Sequence, residues 1–372
     1  MIAFIISFLT TCMAMPFLLS YCKKNHYYDS NISHRKVHKG NIPRLGGVLF
    51  FPCAAVGLLG FMYFTPEAWM SETMLKYYNE TGNMLNEKFP LHISTLLLVP
   101  GAFVIYLVGI VDDFLDVSAR HKFIIQFVVA LAMPFSNLYI NNLGGLFGLT
   151  NIPVAVAYPL TVFGILLIVN AMNLIDGIDG LASGLSIISF LGFAYVFNQS
   201  NLPIFTNLSF ALIGTVLGFF LFNYFGTEKK GTKIFMGDGG SLFLGYCLAY
   251  FALKEAMENP YIAVYDENAF TISLILLFVP IADLIRVAFE RILNHQSIFK
   301  ADKTHLHHRL MDTGLSMHAA MAVILLLQAA ICLLGWTCLN LLQLGATITI
   351  VLIIVVFILF NIGVYSLRKN KE

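Results

Sequence analysis

Long, unbroken apolar runs set the first constraint on this chain. Eleven stand at about 1–21, 46–64, 94–111, 122–140, 154–173, 180–198, 204–223, 239–254, 269–287, 317–338 and 345–367. A helix needs about 20 apolar residues to cross the hydrocarbon core of a bilayer. Each run is continuous rather than alternating, so a transmembrane barrel is excluded and helices remain. Composition agrees, with 58% hydrophobic and 12% charged residues and a mean hydropathy of +0.78, where soluble domains carry about 25% charged residues. Disorder is excluded by the same numbers. A net charge of only +1 excludes nucleic acid as a partner held by charge. The expected fold is all-α, a single integral membrane domain over 1–372 with about eleven transmembrane helices. The fourth and eighth runs are the short or polar-flanked ones.

Loop charge then orients the bundle. With the N-terminus outside, the inside segments are 22–45, 112–121, 174–179, 224–238, 288–316 and 368–372. Together with the inner helix ends at Lys122 and Arg286 they hold 19 of the 22 Lys and Arg. Lys76, Lys88 and Lys254 fall outside. That asymmetry fits the positive-inside rule with eleven spans, N-terminus out and C-terminus cytoplasmic. Residues 1–21 read as a retained span, because their basic flank (Lys23, Lys24) follows the apolar run, where a secretory signal has it first. The six cysteines form no CxxC and mostly sit inside apolar runs, as small buried hydrophobes do. The stretch 65–93, with Glu67, Glu72, Glu80 and Glu87, reads as a solvated external loop.

The informative polar residues are carboxylates at membrane ends. Asp112, Asp113 and Asp116 close the third run. Asp176 and Asp179 lie in Asn170-Ala-Met-Asn-Leu-Ile-Asp-Gly-Ile-Asp-Gly180, Asp238 in Phe235-Met-Gly-Asp-Gly-Gly-Ser241, and Asp283 one turn after Pro280. In the expected topology all face one side. An Asp within a span costs about 2.5–3.5 kcal/mol, so such residues usually line a functional cavity. Asp112 and Asp116, four apart, share a helical face. Clustered carboxylates repel unless a cation is near, and an all-oxygen set suits Mg²⁺ or Mn²⁺; a solvated helix end is the plainer alternative. Asn170, Asn173, Asp176 and Asp179 recur every three residues, close to one helical stripe, before a turn at Gly177 and Gly180. Around Gly239 the free N–H groups of a helix start favour an anion. Asp238 there is either an ordinary N-cap or a metal ligand.

The inside loop after the ninth run carries Lys300, Lys303, His305, His307, His308 and Arg309, a tract in which Asp302 is the one acid. Phosphate binding fits this basic tract; zinc and a solvated membrane-surface loop are the alternatives. Lys23, Lys24, Arg35, Lys36 and Lys39 read as topology and lipid-headgroup charges. Lys122, ten residues after Asp112, and Arg44, just before Gly46-Gly47, stand beside motifs. Metal-type acids, phosphate-binding bases and a membrane setting together suggest phosphoryl transfer to an amphiphile.

The strings Val111-Asp112-Asp113, Asn170 to Leu181, Phe235 to Ser241 and His305-Leu-His-His308, in this order, resemble the polyprenyl-phosphate N-acetylhexosamine-1-phosphate transferase family, from about Lys39 through Met311. The His-Leu-His-His form is similar to the bacterial branch that uses UDP-GlcNAc and undecaprenyl phosphate; the muramoyl-pentapeptide branch normally has three consecutive His. The resemblance implies that the lipid phosphate attacks the β-phosphorus of a UDP-sugar, giving lipid-diphosphate-sugar and UMP, as the first membrane step of an envelope polysaccharide. It implies Mg²⁺, with Mn²⁺ as the alternative, on Asp238, with Asp179 supporting that metal or positioning the diphosphate. Asp112 and Asp113 are expected to orient or deprotonate the lipid phosphate, with Lys122 pairing its charge. Arg44, Asn170, Asn173, Asp176 and Gly239 are expected on the substrate, Asn173 and Asp176 near the nucleotide. His305, His307, His308 and Arg309 are expected on diphosphate and sugar. The implied setting is the bacterial cytoplasmic membrane, with the active site facing the cytoplasm, membrane lipids around it, and a homodimer as one assembly.

An ion-coupled transporter also embeds Asp in interrupted helices, but carriers usually show paired repeats, which this sequence lacks. His is expected to be tolerated at position 306, since its neighbours already supply charge.

Overall fold

The computed structural model describes residues 1–28, 42–68, 93–257, 266–297 and 304–369. Their helices are α1 (Ile2–Lys24), α2 (Phe50–Phe64), α3 (Ile93–Leu115), α4 (Ala119–Phe135), α5 (Val154–Ile175), α6 (Leu181–Gln199), α7 (Pro203–Tyr224), α8 (Asp238–Ala256), α9 (Ala269–Leu276), α10 (Phe278–Leu293), α11 (Leu306–Asp312), α12 (Met317–Trp336) and α13 (Gly345–Lys369). Eight of these, some with a flanking turn, are long and apolar enough to cross a membrane; the α9–α10 pair makes a ninth if it is one bent span. α4 and α8 fall outside that test.

α8 is the axis of the bundle. Every residue from Gly239 to Ala256 is buried, and α3 and α5 pack along it. A helix apolar on all sides belongs in an interior. α13 is the opposite case: Val351, Ile354, Val355 and Leu359 are exposed, as on a helix that faces lipid. α1, α2 and α7 approach closely through small residues. A Cβ on Gly57 would lie 2.7 Å from the Ala3 carbonyl oxygen, and one on Gly214 would lie 2.3 Å from Ser7 Oγ. Where lipid replaces water, such close packing drives association.

The described residues are mostly helical, as an all-α membrane protein requires. Two expectations are corrected, and one short hairpin is added: Asn142–Leu146 pairs antiparallel with Leu149–Asn151. Its turn takes positive φ at Gly144, Gly145, Phe147 and Gly148, which the glycines permit. The fourth helix runs 119–135 rather than 122–140, because the chain turns at Ser136 to Leu138 behind Pro134. The ninth run is not one straight helix: α9 and α10 meet at 72°. Buried Gln328 of α12 serves the break, donating to the Ile275 and Leu276 carbonyls (2.9 and 3.2 Å) and accepting from the Val279 N–H at 2.9 Å. All six cysteines are free, four of them buried. Most of the 65–93 loop, and Arg35, Lys36, Lys39, Lys300, Asp302 and Lys303, lie outside the described residues.

Candidate active site

Four segments distant in sequence meet at the N-terminal end of α8. Phe235 donates its N–H to the Pro43 carbonyl (2.8 Å), and Gly46 and Gly47 donate to the carbonyls of Phe235 and Met236 (2.9 and 2.8 Å). That ladder lays the 43–47 segment beside the glycine-rich turn. Gly47 is required by closeness, since a Cβ there would lie 2.1 Å from Gly240 N. α3 comes equally near: a Cβ on Gly109 would sit 2.5 Å from the Asp238 carbonyl oxygen. This approach delivers Asp112 and Asp113, one turn further along α3, to the start of α8.

The two acids then do different things. Asp113 accepts hydrogen bonds from the N–H groups of Asp238 (2.8 Å) and Gly239 (3.0 Å), with Arg44 at 3.4 Å. It caps α8 from another helix. The free N–H groups expected to receive an anion at Gly239 are therefore taken by a protein carboxylate. Asp112 instead faces Lys122 of α4, whose Nζ lies 2.8 Å from Asp112 Oδ2 and 2.7 Å from Asp238 Oδ2. One ammonium thus holds two carboxylates from opposite ends of the motif set. Asp116 does not join them, because α3 ends at Leu115 and Asp116 turns out at φ +49°.

The Asn–Asp stripe divides. Asn170 donates to Gln126 Oε1 of α4 (2.9 Å), and Asn173 to Ser241 Oγ of α8 (2.9 Å). Both fasten α5 to its neighbours. α5 ends at Ile175, so the three-residue spacing carries no further than Asp176. Asp179 is buried beneath the turn, with Oδ2 at 2.5 Å from Lys233 Nζ. Asn223 of α7 clamps this turn: it accepts from the Gly180 N–H (2.7 Å) and donates to Asp179 Oδ1 (3.4 Å) and the Ile234 carbonyl (2.9 Å). Half-buried Asp176 has no hydrogen-bond partner among the described residues. Burial pushes its carboxyl up to about 8, helped by the charges of Asp238, Asp179 and Asp113 and opposed by Arg44.

The histidine tract docks from the other side. His305 Nδ1 lies 2.8 Å from Asp283 Oδ2, and the Leu306 N–H donates to Asp283 Oδ1 at 3.1 Å. Arg286 braces the same carboxylate and the Thr304 carbonyl, both at 2.7 Å. Arg309 is held by Glu290 Oε1 at 2.6 Å; burial and nearby Arg286 hold its guanidinium below its usual range. His307 is buried with neither ring nitrogen partnered. Its Nε2 packs against Gly177, where a Cβ would sit only 2.3 Å away. Burial, aided by the charge of His308, lowers its imidazole to about 3. His308 stacks obliquely on His307, ring centroids 4.3 Å apart. The basic tract and the Asp176–Asp179 turn thus share one wall.

The sequence assigns no role to Lys233, Asn223 or Gln126, and marks Ser241 only as the end of the Phe235–Ser241 motif. Lys233 was visible two residues before Phe235, counted only as an inside charge. Asn223 gave no signal, lying at the end of an apolar run.

Asp112, Asp113, Asp176, Asp179 and Asp238 face Lys122, Lys233 and Arg44. With every group ionised, five acids outnumber three bases, and a cation beside Asp176 would offset the mutual repulsion that adds to burial in raising its carboxyl. The donors are hard oxygens, and Asp176 is an unpartnered one. No three metal-type side chains are arranged as a ligand shell among the described residues. Mg²⁺ is commonly held by one or two carboxylates plus substrate phosphates, and Asp176 and Asp238 are the carboxylates that would serve.

The description "glycosyl transferase family 4" matches residues 95–256, spanning Asp112 to α8. A probable undecaprenyl-phosphate N-acetylglucosaminyl 1-phosphate transferase of Bacillus subtilis (strain 168) is 35% identical, over 88% of this chain and 81% of its own. The chain belongs to glycosyl transferase family 4. Two further relatives of this family 4 transferase are named undecaprenyl-phosphate alpha-N-acetylglucosaminyl 1-phosphate transferase. The one from Yersinia pestis is 29% identical over 82% of this chain and 74% of its own. The one from Escherichia coli (strain K12) is 28% identical over 88% and 81%. The matched region of the family 4 transferase holds Lys122 and all five clustered acids but not the histidine tract, which joins them only through the fold.

Proposed function

We propose that this family 4 transferase moves GlcNAc-1-phosphate from UDP-GlcNAc to undecaprenyl phosphate, giving undecaprenyl-diphosphate-GlcNAc and UMP. The observation that carries the reading is Lys122 held between Asp112 and Asp238, beside the unpartnered Asp176, in a chain whose relatives bear that name. An oxygen of the lipid phosphate forms the new bond to the β-phosphorus, and the bond from that phosphorus to the bridging oxygen breaks, releasing UMP. Phosphoryl transfer asks chiefly for alignment and charge neutralisation. Lys122 receives the lipid phosphate, Asp112 orients it, and Asp113 keeps the start of α8 in place. Asp238 and Asp176, with Asp179 behind them, would hold Mg²⁺ or Mn²⁺. The ion, when bound, neutralises the diphosphate. His305, His307, His308 and Arg309 close the site over diphosphate and sugar, while Asn173 and Asp176 lie toward the nucleotide.

The proposed topology has eleven spans: the eight long helices, the bent pair, the largely exposed α4 and the buried α8. The N-terminus is outside, and the site faces the cytoplasm of a bacterial inner membrane, where the segments 42–45, 112–121, 174–179, 224–238 and 304–316 gather. The product begins an envelope polysaccharide such as O-antigen, common antigen or a teichoic-acid linkage unit. Purified protein with undecaprenyl phosphate and Mg²⁺ should release UMP from UDP-GlcNAc faster than from UDP-GalNAc or UDP-MurNAc-pentapeptide. The Asp238→Asn variant should elute and melt as wild type does yet turn over at least about 100-fold more slowly. Wild-type turnover in that variant would sink the metal assignment; preference for another donor would sink the sugar assignment.

A further inference from the structure

At the end of the bundle opposite the carboxylate site, α6, α8, α9 and α12 enclose a cavity of about 690 Å³. α8 joins the two sites: Glu255 lies 17 residues after Asp238, about 25 Å along a helix. The cavity floor is apolar, with Ile275 and Leu276. Tyr195 and Trp336 flank it, where interfacial aromatics sit in membrane proteins.

Its charge is one-sided. Glu255 and Asp266 line it, and among the described residues no Lys, Arg or His does. Glu255 is only 9% exposed, and its carboxylate has no hydrogen-bond or ion-pair partner among the described residues. The adjacent Lys254 is engaged elsewhere, its Nζ 5.3 Å from the Phe205 ring centroid. The sequence from Met257 to Asn268 contains no Lys, Arg or His. A buried carboxylate without a partner is costly, and this one is aimed into a space of ligand size.

We propose that this cavity binds the ammonium headgroup of an amphiphile. The ammonium nitrogen meets Glu255, with Asp266 adding negative potential. The apolar part lies on Ile275 and Leu276, and Trp336 and Tyr195 present ring faces that attract cations. The amine comes from an aminophospholipid of the surrounding leaflet or from a free cationic amphiphile. The inference does not depend on the sugar or lipid handled at the other end.

Trp69 and Trp336 are the two tryptophans of the chain, so a Trp69→Phe background leaves Trp336 as the reporter. In detergent, dodecyltrimethylammonium should shift Trp336 emission saturably, while dodecyl maltoside should not. Glu255→Gln should raise the half-saturating concentration about tenfold or more, the loss expected for a charged contact. UMP release by Glu255→Gln should match wild type, which certifies the fold. Nanodiscs of phosphatidylethanolamine and of phosphatidylglycerol separate the sources. Emission that differs between them and converges in Glu255→Gln assigns a lipid; equal emission alongside the detergent response assigns a free amphiphile. An identical titration in Glu255→Gln, or an equal response to the uncharged detergent, overturns the proposal.

Discussion

Leu306 divides the imidazoles of His305 and His307 and is wholly buried in the apolar core. The expectation that His would be tolerated there rested on neighbouring charge; burial reverses it. Leu306→His puts a polar ring where apolar groups surround it, and should lower stability by about 1–3 kcal/mol, read as a lower melting temperature of the purified protein. A variant as stable as wild type would show that α11 shifts to accommodate it. His307 makes a pH prediction. Its folded pKa is about 3, while the unfolded chain takes a proton near 6.5. Between those values the unfolded state binds more protons, so stability is lost as pH falls from 6.5 toward 3. Melting temperature should drop from pH 7.5 to 5.5 in wild type and drop less in His307→Asn. Equal drops would mean that His307 is not the group held neutral.

Among the elements, the broken α9–α10 span most clearly depends on a distant partner. Pro280 marks the break in sequence. Gln328 lies 48 residues further on, inside an otherwise apolar run, and no local pattern announces that it will bond Ile275, Leu276 and Val279. Gln328→Leu keeps the volume and orphans these groups, each worth about 1–3 kcal/mol. The variant should melt well below wild type in detergent; an unchanged melting point would mean that α9 and α10 can bond one another instead. Asp113 makes the same point. Its pairing with Asp112 suggested shared chemistry, and the structure gives it a capping duty because Gly109 lets α3 reach the start of α8.

For the whole molecule, the two ends of the bundle should be distinguishable by labelling. The hairpin tip beside Thr347 of α13 lies at one end, and the loop carrying Lys229 beside the Asp179 turn at the other. In right-side-out vesicles an impermeant maleimide should label Leu149→Cys and spare Lys229→Cys, above the background of the native thiols. Inverted vesicles should reverse the result. Labelling of both from one side would break the eleven-span arrangement.

Apolar length and charge asymmetry determined that this chain is a helical membrane protein, and its local motifs picked out acids and bases that the fold brings together. These are local or summed properties, readable without contacts. The apolar runs return as helices, the ninth broken into two and the fourth ending at Phe135, and Asp112, Lys122 and Asp238 stand together. Division of labour was settled only by tertiary structure. Which carboxylate caps a helix, which meets Lys122, and which is left without a partner depends on backbone approaches of a few ångströms at Gly47, Gly109 and Gly177. Such closeness arises between segments more than 60 residues apart, beyond the reach of any periodicity.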